Sequence, residues 1–465
     1  MRGGREADAP SDVRATRIRA SGFRSGARCW LLGLAIGLAL ADSSIVTLAL
    51  PEVLGRFDVG VTTVAWVLTS FNLVLALSAL PAAYLARRQP RWAFVAGAAV
   101  FAASSLACGL ATSFEVLIGA RCIQAVGAAF VITAALDLLS STTRSEVRAV
   151  RIWVAAGVLG AAVGPAAGGI LTQALGWESI FLVQVPLILF SLAALRGLSV
   201  RSLPAPAGRP HLTANTALLL LSGGLVAALF LLVLLLVTGW GMSPAAAGLV
   251  VTVMPLAAIA AARVSPHSVG LGMRTASGVI LVSGGLAALA FLPRAGWAWT
   301  LAPQILVGAG IGLALAALSE RAVRGRAQQV VHGGWTLAAR HAGVVLGLLL
   351  LAPVLTSALE QSREEAVRAG AAEVLDSRIP ALDKLRVAQD VLDEVDEAEE
   401  SGELPDVSAA FEDRPDDDVY RDLLTALQDQ LDRAVTDAFS TPFLLAAALA
   451  LAALVPVGLS RGQPL

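Results

Sequence analysis

The stretch GVLGAAVGPAAGGIL, residues 157–171, decides which solvent this chain folds in. It holds five glycines and one proline among apolar residues, and it carries no charge. In a helix in water, each Gly costs about 1 kcal/mol and the Pro about 3 kcal/mol. In a bilayer, Gly lets helix backbones approach closely, and neighbouring helices can satisfy the carbonyl that Pro165 frees. We therefore expect a membrane helix in which Gly160, Gly164 and Gly168 form one smooth packing face.

Apolar runs of membrane-spanning length recur along the whole chain. Of its 465 residues, 56% are hydrophobic and 15% are charged, and the mean hydropathy is +0.74. A helix of about 20 apolar residues crosses the hydrocarbon core of a bilayer. The runs predict a multi-pass protein of the cell membrane, with the lipid bilayer as its partner. We expect twelve spans, at roughly 29–50, 62–85, 92–111, 114–139, 152–175, 179–197, 213–238, 244–263, 275–293, 297–318, 332–358 and 441–459.

Arginine placement orients the predicted spans, because cytosolic loops carry an excess of Lys and Arg. The first 28 residues hold seven arginines. The connections on the same side of the membrane hold many more, whereas the short loops on the other side hold only Arg56 and Arg294. We therefore expect both termini to be cytosolic. We interpret the first apolar run as an uncleaved span, since it is too long for a signal peptide and more spans follow.

The spans fall into two groups of six around the Pro-rich, basic connection 198–212. Two parallel halves are typical of secondary transporters. The predicted fold is an all-α integral membrane protein with two six-helix bundles and an extracytoplasmic helical insertion between spans 11 and 12. The predicted units are a cytosolic basic tail (1–28), an N-terminal bundle (29–197), a cytosolic linker (198–212), spans 7–11 (213–358), the insertion (359–440), span 12 (441–459) and a cytosolic C-terminus (460–465).

The predicted insertion is strongly acidic. Residues 360–440 hold 24 of the 35 acidic residues and eight basic ones, so their formal charge is −16, while the rest of the chain is +15. Apolar residues recur at helical spacing in 371–400 and 418–439, with a loop between them. We expect a helical hairpin or cap over the outer mouth of the bundles. A solvated loop without a site, a cation site, a docking surface for an extracytoplasmic protein and an exit gate all remain open.

Asp42 and Arg121 are the charged residues that we expect to meet inside the membrane. Charged groups within spans are costly and indicate function by default. At 1.5 Å per residue, Asp42 lies about 13 Å and Arg121 about 12 Å inside the outer edge of the bilayer. The matching depth predicts an ion pair between spans 1 and 4. Such a pair either couples a proton to transport, because the carboxyl can be neutralised, or is a static structural contact.

A few other residues within the spans are candidates for function. Gln124 is one helical turn from the arginine of the pair and shares its face, and Gly127 on the same side permits close packing. Asp137, near the cytosolic end of span 4, is more typical of a cap or an interface. Arg340, in the cytosolic half of span 11, either snorkels to the interface or faces the cavity. His341 beside it is expected to be a packed polar residue.

Several chemistries are not indicated by the sequence. There is no G-x-x-x-x-G-K-[ST] motif for ATP binding. There is no Cys/His cluster for a metal, no nucleophile with a base at useful spacing, and nothing that points to nucleic acid. We therefore expect no enzyme, no cofactor and no metal.

Six short motifs carry a family resemblance. LADSSIVTLALPEV (40–53) is similar to a signature in which an Asp is followed by a run that ends in Ala-Leu-Pro. LIGARCIQAVGAA (117–129) is similar to a motif whose Arg is associated with proton transfer, and the stretch 157–171 resembles an antiporter motif. The other three matches are WESIFLVQVP (177–186), GWGMSPAAAGLVVTVMP (239–255) and ARHAGVVLG (339–347). Together they resemble the major facilitator superfamily, in particular its drug:proton antiporter branches.

The resemblance implies a fold and a mechanism. Two bundles rock around a central cavity lined by spans 1, 4, 7 and 10, and span 5 takes part in gating. Asp42 and Arg121 are implied in proton coupling. The proton motive force is the energy source, and protons and a lipophilic small molecule are the implied partners. The residues implied in the substrate cavity or in gating are Gln124, Gly127, Gly164, Pro165, Gly168 and Arg340.

Two features depart from the family pattern. In AAYLARRQPRW (82–92), Ala82 and Ala86 replace the usual Gly and Asp, while Arg87 and Arg91 are kept as the conformational-lock loop. Loss of that Asp is expected to loosen the outward-facing state and puts ordinary transport in doubt. The acidic segment 360–440 is also outside the usual pattern. In the span 6 motif, the departures are Glu178, Ser179, Val183 and Gln184.

The sequence therefore leads to one main hypothesis and two rivals. The main hypothesis is a proton-coupled secondary transporter that exports hydrophobic or amphiphilic small molecules, because spans 7 and 10 carry no charge. The first rival is a transporter-like scaffold or sensor that has lost transport and works through its acidic outer domain. The second is an importer that uses the acidic segment to collect cations.

Overall fold

The computed structural model describes residues 11–198, 208–264, 270–323, 326, 328–401, 407–411, 414 and 417–459. Residues 1–10 of the predicted tail, 199–207 of the predicted linker and the predicted C-terminus 460–465 lie outside the described residues. The regular structure of the described part is entirely helical. The all-α prediction is therefore confirmed for this part of the chain.

Eleven helices of the described chain are long and apolar enough to cross a membrane. A shorter apolar helix takes the place predicted for span 6. The chain is thus a multi-pass membrane protein. The spans, numbered as predicted, are Ser25–Thr47, Val61–Ala86, Pro90–Gly109, Phe114–Thr143, Glu146–Leu175, Ser179–Leu195, Leu212–Gly239, Pro244–Val264, Leu271–Ala290, Trp297–Val323, Gln329–Asp376 and the apolar part of Asp418–Leu459, which begins at Ser440.

The spans form two bundles, as the sequence predicts. In the first bundle, span 1 packs against spans 4 and 5, and span 4 packs against spans 2 and 3. In the second, span 7 packs against spans 11 and 12, and span 10 packs against spans 8 and 9. The bundles meet along two seams, where span 2 contacts span 11 and span 5 contacts span 8.

The seam between spans 2 and 11 runs along span 2 and along residues 334–356 of span 11. We call the end of the bundles at which spans 1 and 2 are connected the insertion end. There, the hydroxyls of Thr62 and Thr356 are 2.9 Å apart. At mid-height, the Nδ1 of His341 is 2.6 Å from the Oδ1 of Asn72. Near the opposite end, Gly334 lies against span 2, where an added Cβ would be 3.0 Å from a backbone oxygen.

The helix that contains span 1 begins before the span. It runs Ser11–Thr47, whereas the membrane-length part is Ser25–Thr47, so most of residues 11–28, predicted as part of a tail, is helical but precedes the span. At the other end the helix stops at Thr47, and a short helix, Leu50–Phe57, follows. Its second residue is Pro51, which suits the first turn because Pro has no N–H to donate there.

Span 11 also continues past its predicted end. The helix runs from Gln329 to Asp376, which is 48 residues and about 72 Å. The helix therefore crosses the boundary predicted at 358/359 without a break. Helical structure also extends from span 12 into the insertion, since the helix Asp418–Ala438 precedes Ser440–Leu451 with one residue between them. The insertion is thus built largely on extensions of two spans.

The insertion has a small hydrophobic core of its own. Val374 on the span 11 extension, Val387 on the helix Ala381–Ser401, and Leu423 and Leu427 on the helix Asp418–Ala438 are buried together. A contact with the bundles also anchors it, because the indole of Trp240 at the end of span 7 donates to Thr436 Oγ1 at 3.2 Å. The described part of the segment predicted as a helical hairpin or cap is mainly helical.

Candidate functional site

Spans 1 and 4 place the two predicted charged residues at the same height. Asp42 precedes the last helical residue of span 1, Thr47, by five residues, or about 8 Å. Arg121 follows the first residue of span 4, Phe114, by seven residues, or about 11 Å. The Arg121 guanidinium and the Asp42 carboxylate form an ion pair in which both side chains are 0% exposed.

Three more side chains complete what we call the buried polar cluster: Gln124, Gln184 and Ser105. Arg121 Nη1 donates to Asp42 Oδ2 and also to Gln124 Oε1, at 2.6 Å in the second case. Gln184 Nε2 donates to the other carboxylate oxygen, Oδ1, at 3.0 Å. Gln124 Nε2 donates to Ser105 Oγ at 2.8 Å. Spans 1, 3, 4 and 6 therefore all contribute to the cluster around the Asp42 carboxylate, with span 3 joined to it through Gln124.

Arg121 is held by more than its counterion. Its Nε donates to the Val67 carbonyl at 3.2 Å, and its guanidinium carbon lies 4.1 Å from the ring centroid of Phe71 and 5.6 Å from that of Phe181. Cation–π contacts strengthen when the cation is desolvated. Among the described residues, its Nη2 is buried without a hydrogen-bond partner. The two N–H groups of this nitrogen thus lack a hydrogen-bond acceptor in the described part of the chain.

One face of span 5 packs on span 1 through glycine. A Cβ added at Gly160 would lie 2.2 Å from the Gly37 carbonyl oxygen, and one at Gly168 would lie 2.5 Å from the Ile45 carbonyl oxygen. At Gly164 the nearest atom would be Oγ of Ser44, the second residue after Asp42. The face predicted from the sequence therefore lies against the part of span 1 that carries the carboxylate.

The other face of span 5 meets the second bundle. A Cβ at Gly169 would lie 2.2 Å from the Pro244 carbonyl oxygen at the start of span 8. In return, a Cβ at Gly248 would lie 2.6 Å from the Pro165 carbonyl oxygen. This contact is in the half of span 5 nearer the insertion end. Span 5 thus links the carboxylate-bearing helix to the opposite bundle.

Gly127 and Arg340 occupy different surroundings. Gly127 faces span 3, where its Cβ would lie 2.5 Å from the backbone nitrogen of Phe101. Arg340 is half-buried on span 11, and its Nε is buried without a partner among the described residues. The structure does not bring Arg340 to the buried polar cluster. Asp137 is also elsewhere, near the far end of span 4, where its carbonyl accepts from Ser141 Oγ.

The loop between spans 2 and 3 holds its arginines without the usual Asp. The Arg87 guanidinium lies over the Tyr84 ring at 4.8 Å from its centroid. Arg91 Nη1 donates to the Leu198 carbonyl at 2.7 Å, just past span 6. Ala86, at the position of the missing Asp, is fully buried. Both arginines therefore have contacts within the first bundle.

Two functional candidates do not follow from the sequence analysis. In the sequence, Gln184 is only a departure within the span 6 motif, yet in the structure it binds Asp42 directly. No motif includes Asn72, yet it joins the two bundles through His341, and its Nδ2 is 3.3 Å from Ser43 Oγ. A polar amide in a long apolar span is the signal that could have found both residues. The described residues contain no group of three or more His, Cys, Asp or Glu that could hold a metal ion.

Comparison with known proteins gives a consistent match. The Major Facilitator Superfamily model matches residues 32–348. The drug efflux pump JefA of Mycobacterium tuberculosis is 40% identical over 159 residues, 33% of this chain and 31% of that protein. The tetracenomycin C resistance and export protein of Streptomyces glaucescens is 33% identical over 239 residues, 50% of this chain and 44% of that protein. These matches span less than half the length of either relative.

Solved structures match the fold over more of the chain. A bacterial homologue of the human lysosomal transporter Spinster, in an inward-facing conformation, has a TM-score of 0.59 at 16% identity. That match covers 95% of this chain and 99% of the homologue. A D-xylose–proton symporter has a TM-score of 0.60 at 12% identity, and the match covers 70% of this chain and 89% of the symporter. At these identities the comparison concerns the fold alone.

Proposed function

This chain belongs to the Major Facilitator Superfamily, and on that premise we propose that it is a proton-coupled secondary transporter. It exports hydrophobic or amphiphilic small molecules by alternating access of two bundles. The proton motive force supplies the energy. Asp42 carries the proton, and Arg121 is its counterion. The chain acts in the cell membrane with both termini in the cytosol and residues 360–440 outside.

The fully buried ion pair is the observation that carries this proposal. When a proton neutralises Asp42, the Arg121 charge loses its counterion while it remains out of water. Removing one partner of a buried pair is strongly destabilising, by about 3–5 kcal/mol. A rearrangement that hydrates or re-pairs Arg121 then becomes favourable. Protonation of Asp42 can therefore favour a second arrangement of the first bundle, which is what coupling requires.

Span 5 supplies a path from the proton site to the bundle interface. Its glycine face rests on span 1 near Asp42, and its Pro165–Gly169 face rests on span 8. Because Gly160, Gly168 and Gly169 each lie against backbone atoms of a neighbouring helix, no flexible side chain absorbs a shift of span 1 at these contacts, and the shift is passed on to span 8. This supports a gating role for Gly164, Pro165 and Gly168. Gln124 acts with Arg121, and Gly127 sets the spacing of spans 3 and 4.

Two observations support the proposed direction of transport and the proposed class of substrate. The names of the relatives, a drug efflux pump and a resistance and export protein, support export of small organic molecules. Span 7 has no charged side chain between Leu212 and Gly239. A cavity lined in part by this helix suits a substrate with a large apolar surface.

Transport in proteoliposomes tests the proposal. Efflux of a fluorescent lipophilic cation is driven by an imposed pH gradient, and the wild type is compared with Asp42→Asn. We expect the substitution to abolish gradient-driven efflux, because an amide cannot exchange the proton. Asp137→Asn, on span 4 but away from the cluster, is the matched control and should keep efflux. Gradient-driven efflux that survives in Asp42→Asn contradicts a coupling role for this carboxyl.

A second candidate function is favoured by the insertion. Residues 360–440 have a hydrophobic core of their own, and the loop between spans 2 and 3 lacks its usual Asp. A scaffold or sensor that works through an extracytoplasmic protein partner would need a folded insertion. It would tolerate the missing Asp, because it does not transport. Deleting 365–435 separates the two functions. Intact efflux with loss of partner binding favours the sensor, whereas loss of efflux favours a transport role for the insertion.

A further inference from the structure

A cavity of about 570 Å³ lies where the insertion meets both bundles. Its walls come from the short helix after span 1 (Leu54), span 2 (Val61), span 7 (Leu234) and the insertion (Val374 and Leu427). Pockets for drug-sized ligands have volumes of roughly 300–1,000 Å³. The cavity is therefore large enough for one such molecule. It is separate from the buried polar cluster, whose residues do not line it.

The wall of this cavity is mainly apolar. On the extension of span 11, the lining positions recur at helical spacing and include Ala366, Val367 and Gly370. Opposite them lie Ala434 and Val435 on the helix that leads into span 12. Water has few hydrogen-bond partners on such a surface, so an apolar ligand gains free energy by displacing it. The shape and the chemistry both suit a molecule with a compact hydrophobic body.

The charge of the surroundings selects the polar part of the ligand. Among the described lining residues, Glu360 and Arg363 carry charge. The segment around them has a formal charge of −16. An excess of one sign over a whole segment raises the local concentration of the opposite ion. A cationic molecule is therefore favoured over an anionic one in the approach to the cavity.

We propose that this cavity is a second binding site for a hydrophobic small molecule with a positive charge, at the insertion end of the transport path. Residues of both bundles form its wall, so a rocking motion of the bundles changes its width. The extensions of spans 11 and 12 move its roof together with those spans. A role of this site in export rests on the proposed function. Binding of the ligand to the cavity does not rest on it.

Equilibrium binding of tritiated tetraphenylphosphonium to the full chain in nanodiscs of zwitterionic lipid tests the site. Ala366→Phe and Val391→Phe fill the cavity from two different helices, since both residues line it. We expect each to weaken binding by about tenfold or more, which corresponds to about 1.4 kcal/mol. Ala372→Phe is the matched control, because Ala372 is an exposed residue of the same span 11 extension and does not line the cavity.

The charge preference is tested with a second pair of variants. Glu360→Gln should weaken tetraphenylphosphonium binding severalfold at low salt and less at high salt. Glu373→Gln, an exposed position of the same helix outside the lining, should have no effect. Equal binding by both variants and the wild type would contradict the choice of a cation. Equal binding by the wild type and both filling variants, or no binding by the wild type, would overturn the site.

Failure of the second binding site can be distinguished from failure of the proposed proton coupling. Asp42→Asn should bind tetraphenylphosphonium like the wild type while it loses proton-driven efflux. If Asp42→Asn keeps efflux while Ala366→Phe loses binding, proton coupling through Asp42 is wrong and the site stands. If Asp42→Asn loses efflux while Ala366→Phe binds normally, the site is wrong and the coupling stands.

Discussion

Gln184 on span 6 donates a hydrogen bond to Asp42 on span 1, at 3.0 Å between Nε2 and Oδ1, while Arg121 occupies the other carboxylate oxygen. The two residues are 142 positions apart in the chain. An amide both donates and accepts hydrogen bonds. Gln184 can therefore serve the ionised carboxylate with its nitrogen and the protonated carboxyl with its oxygen. This makes Gln184 the positioning residue best suited to follow the protonation of Asp42.

Gln184→Leu should slow proton-driven transport. The variant removes a hydrogen bond to the Asp42 carboxylate, and a hydrogen bond to a charged group is worth about 1.5–3 kcal/mol, so the rate of proton-driven efflux should fall about tenfold or more. The measurement is the initial rate of efflux from proteoliposomes under a fixed pH gradient. Gln304→Leu is the control, since Gln304 is another fully buried glutamine, on span 10 of the other bundle. An unchanged rate in Gln184→Leu would show that the bond has no part in coupling.

Gly169→Ala should open the contact between spans 5 and 8 at the insertion end. The new Cβ would lie 2.2 Å from the Pro244 carbonyl oxygen, and that backbone atom cannot rotate away as a side chain can. Spin labels at the exposed residues Leu175 and Leu249 report the separation of the two helices. Pulsed electron paramagnetic resonance should give a longer distance between the two labels in the variant than in the wild type.

Gly119→Ala is the control for this measurement, because an added Cβ there has nothing within 4 Å. It should leave the distance distribution between Leu175 and Leu249 unchanged. If Gly169→Ala also leaves it unchanged, the neighbouring backbone yields locally and the contact does not hold the two bundles together.

The hydrogen bond between His341 and Asn72 should couple the two bundles energetically. The atoms Nδ1 and Oδ1 are 2.6 Å apart, and both side chains are buried. In a double-mutant cycle with Asn72→Ala and His341→Ala, we expect an interaction free energy of about 1 kcal/mol. Unfolding in detergent gives the four free energies. Thr336→Val with Asn72→Ala is the control pair, which should be additive because Thr336 bonds instead to Asn215.

Capping by His211 should make the stability of span 7 depend on pH. His211 Nδ1 accepts from the Ala214 N–H at 3.3 Å at the start of the helix. Burial, with Arg326 and Arg321 nearby, lowers the pKa of His211 from its ordinary value. The neutral form is thus favoured on folding, so the cap contributes fully above a pH of about 6.5 and is lost as pH falls through the lowered pKa.

The test of this cap compares two substitutions. His211→Ala should lower the free energy of unfolding by about 1 kcal/mol at pH 8. The difference from the wild type should shrink in acid. His211→Asn keeps a capping oxygen and should lose little at either pH. Thermal unfolding at both pH values measures this, and an equal loss in the two substitutions would show that packing, not capping, is what His211 provides.

Part of the fold could be predicted because it depends on local composition. The length of an apolar run indicates a span, and helical spacing places glycines on one face, so the contact of Gly160 and Gly168 with a neighbouring helix was predictable. The depth of a residue in the membrane also follows from counting residues along its helix, so the similar depths of Asp42 and Arg121 were predictable. The end of span 11 was not predictable from hydropathy, since the helix continues to Asp376 after its apolar residues stop.

The sequence alone determined that the chain folds in a membrane, that its fold is all-helical, and that Asp42 and Arg121 lie at matching depths. The reason is that lipid offers no hydrogen bonds, so each apolar run must satisfy its own backbone as a helix. Only the tertiary structure decided which helices meet. Gln184 reaches Asp42, His341 reaches Asn72, and the insertion encloses an apolar cavity against both bundles. These contacts join residues far apart in the chain, and their geometry depends on how whole helices pack, which no local pattern records.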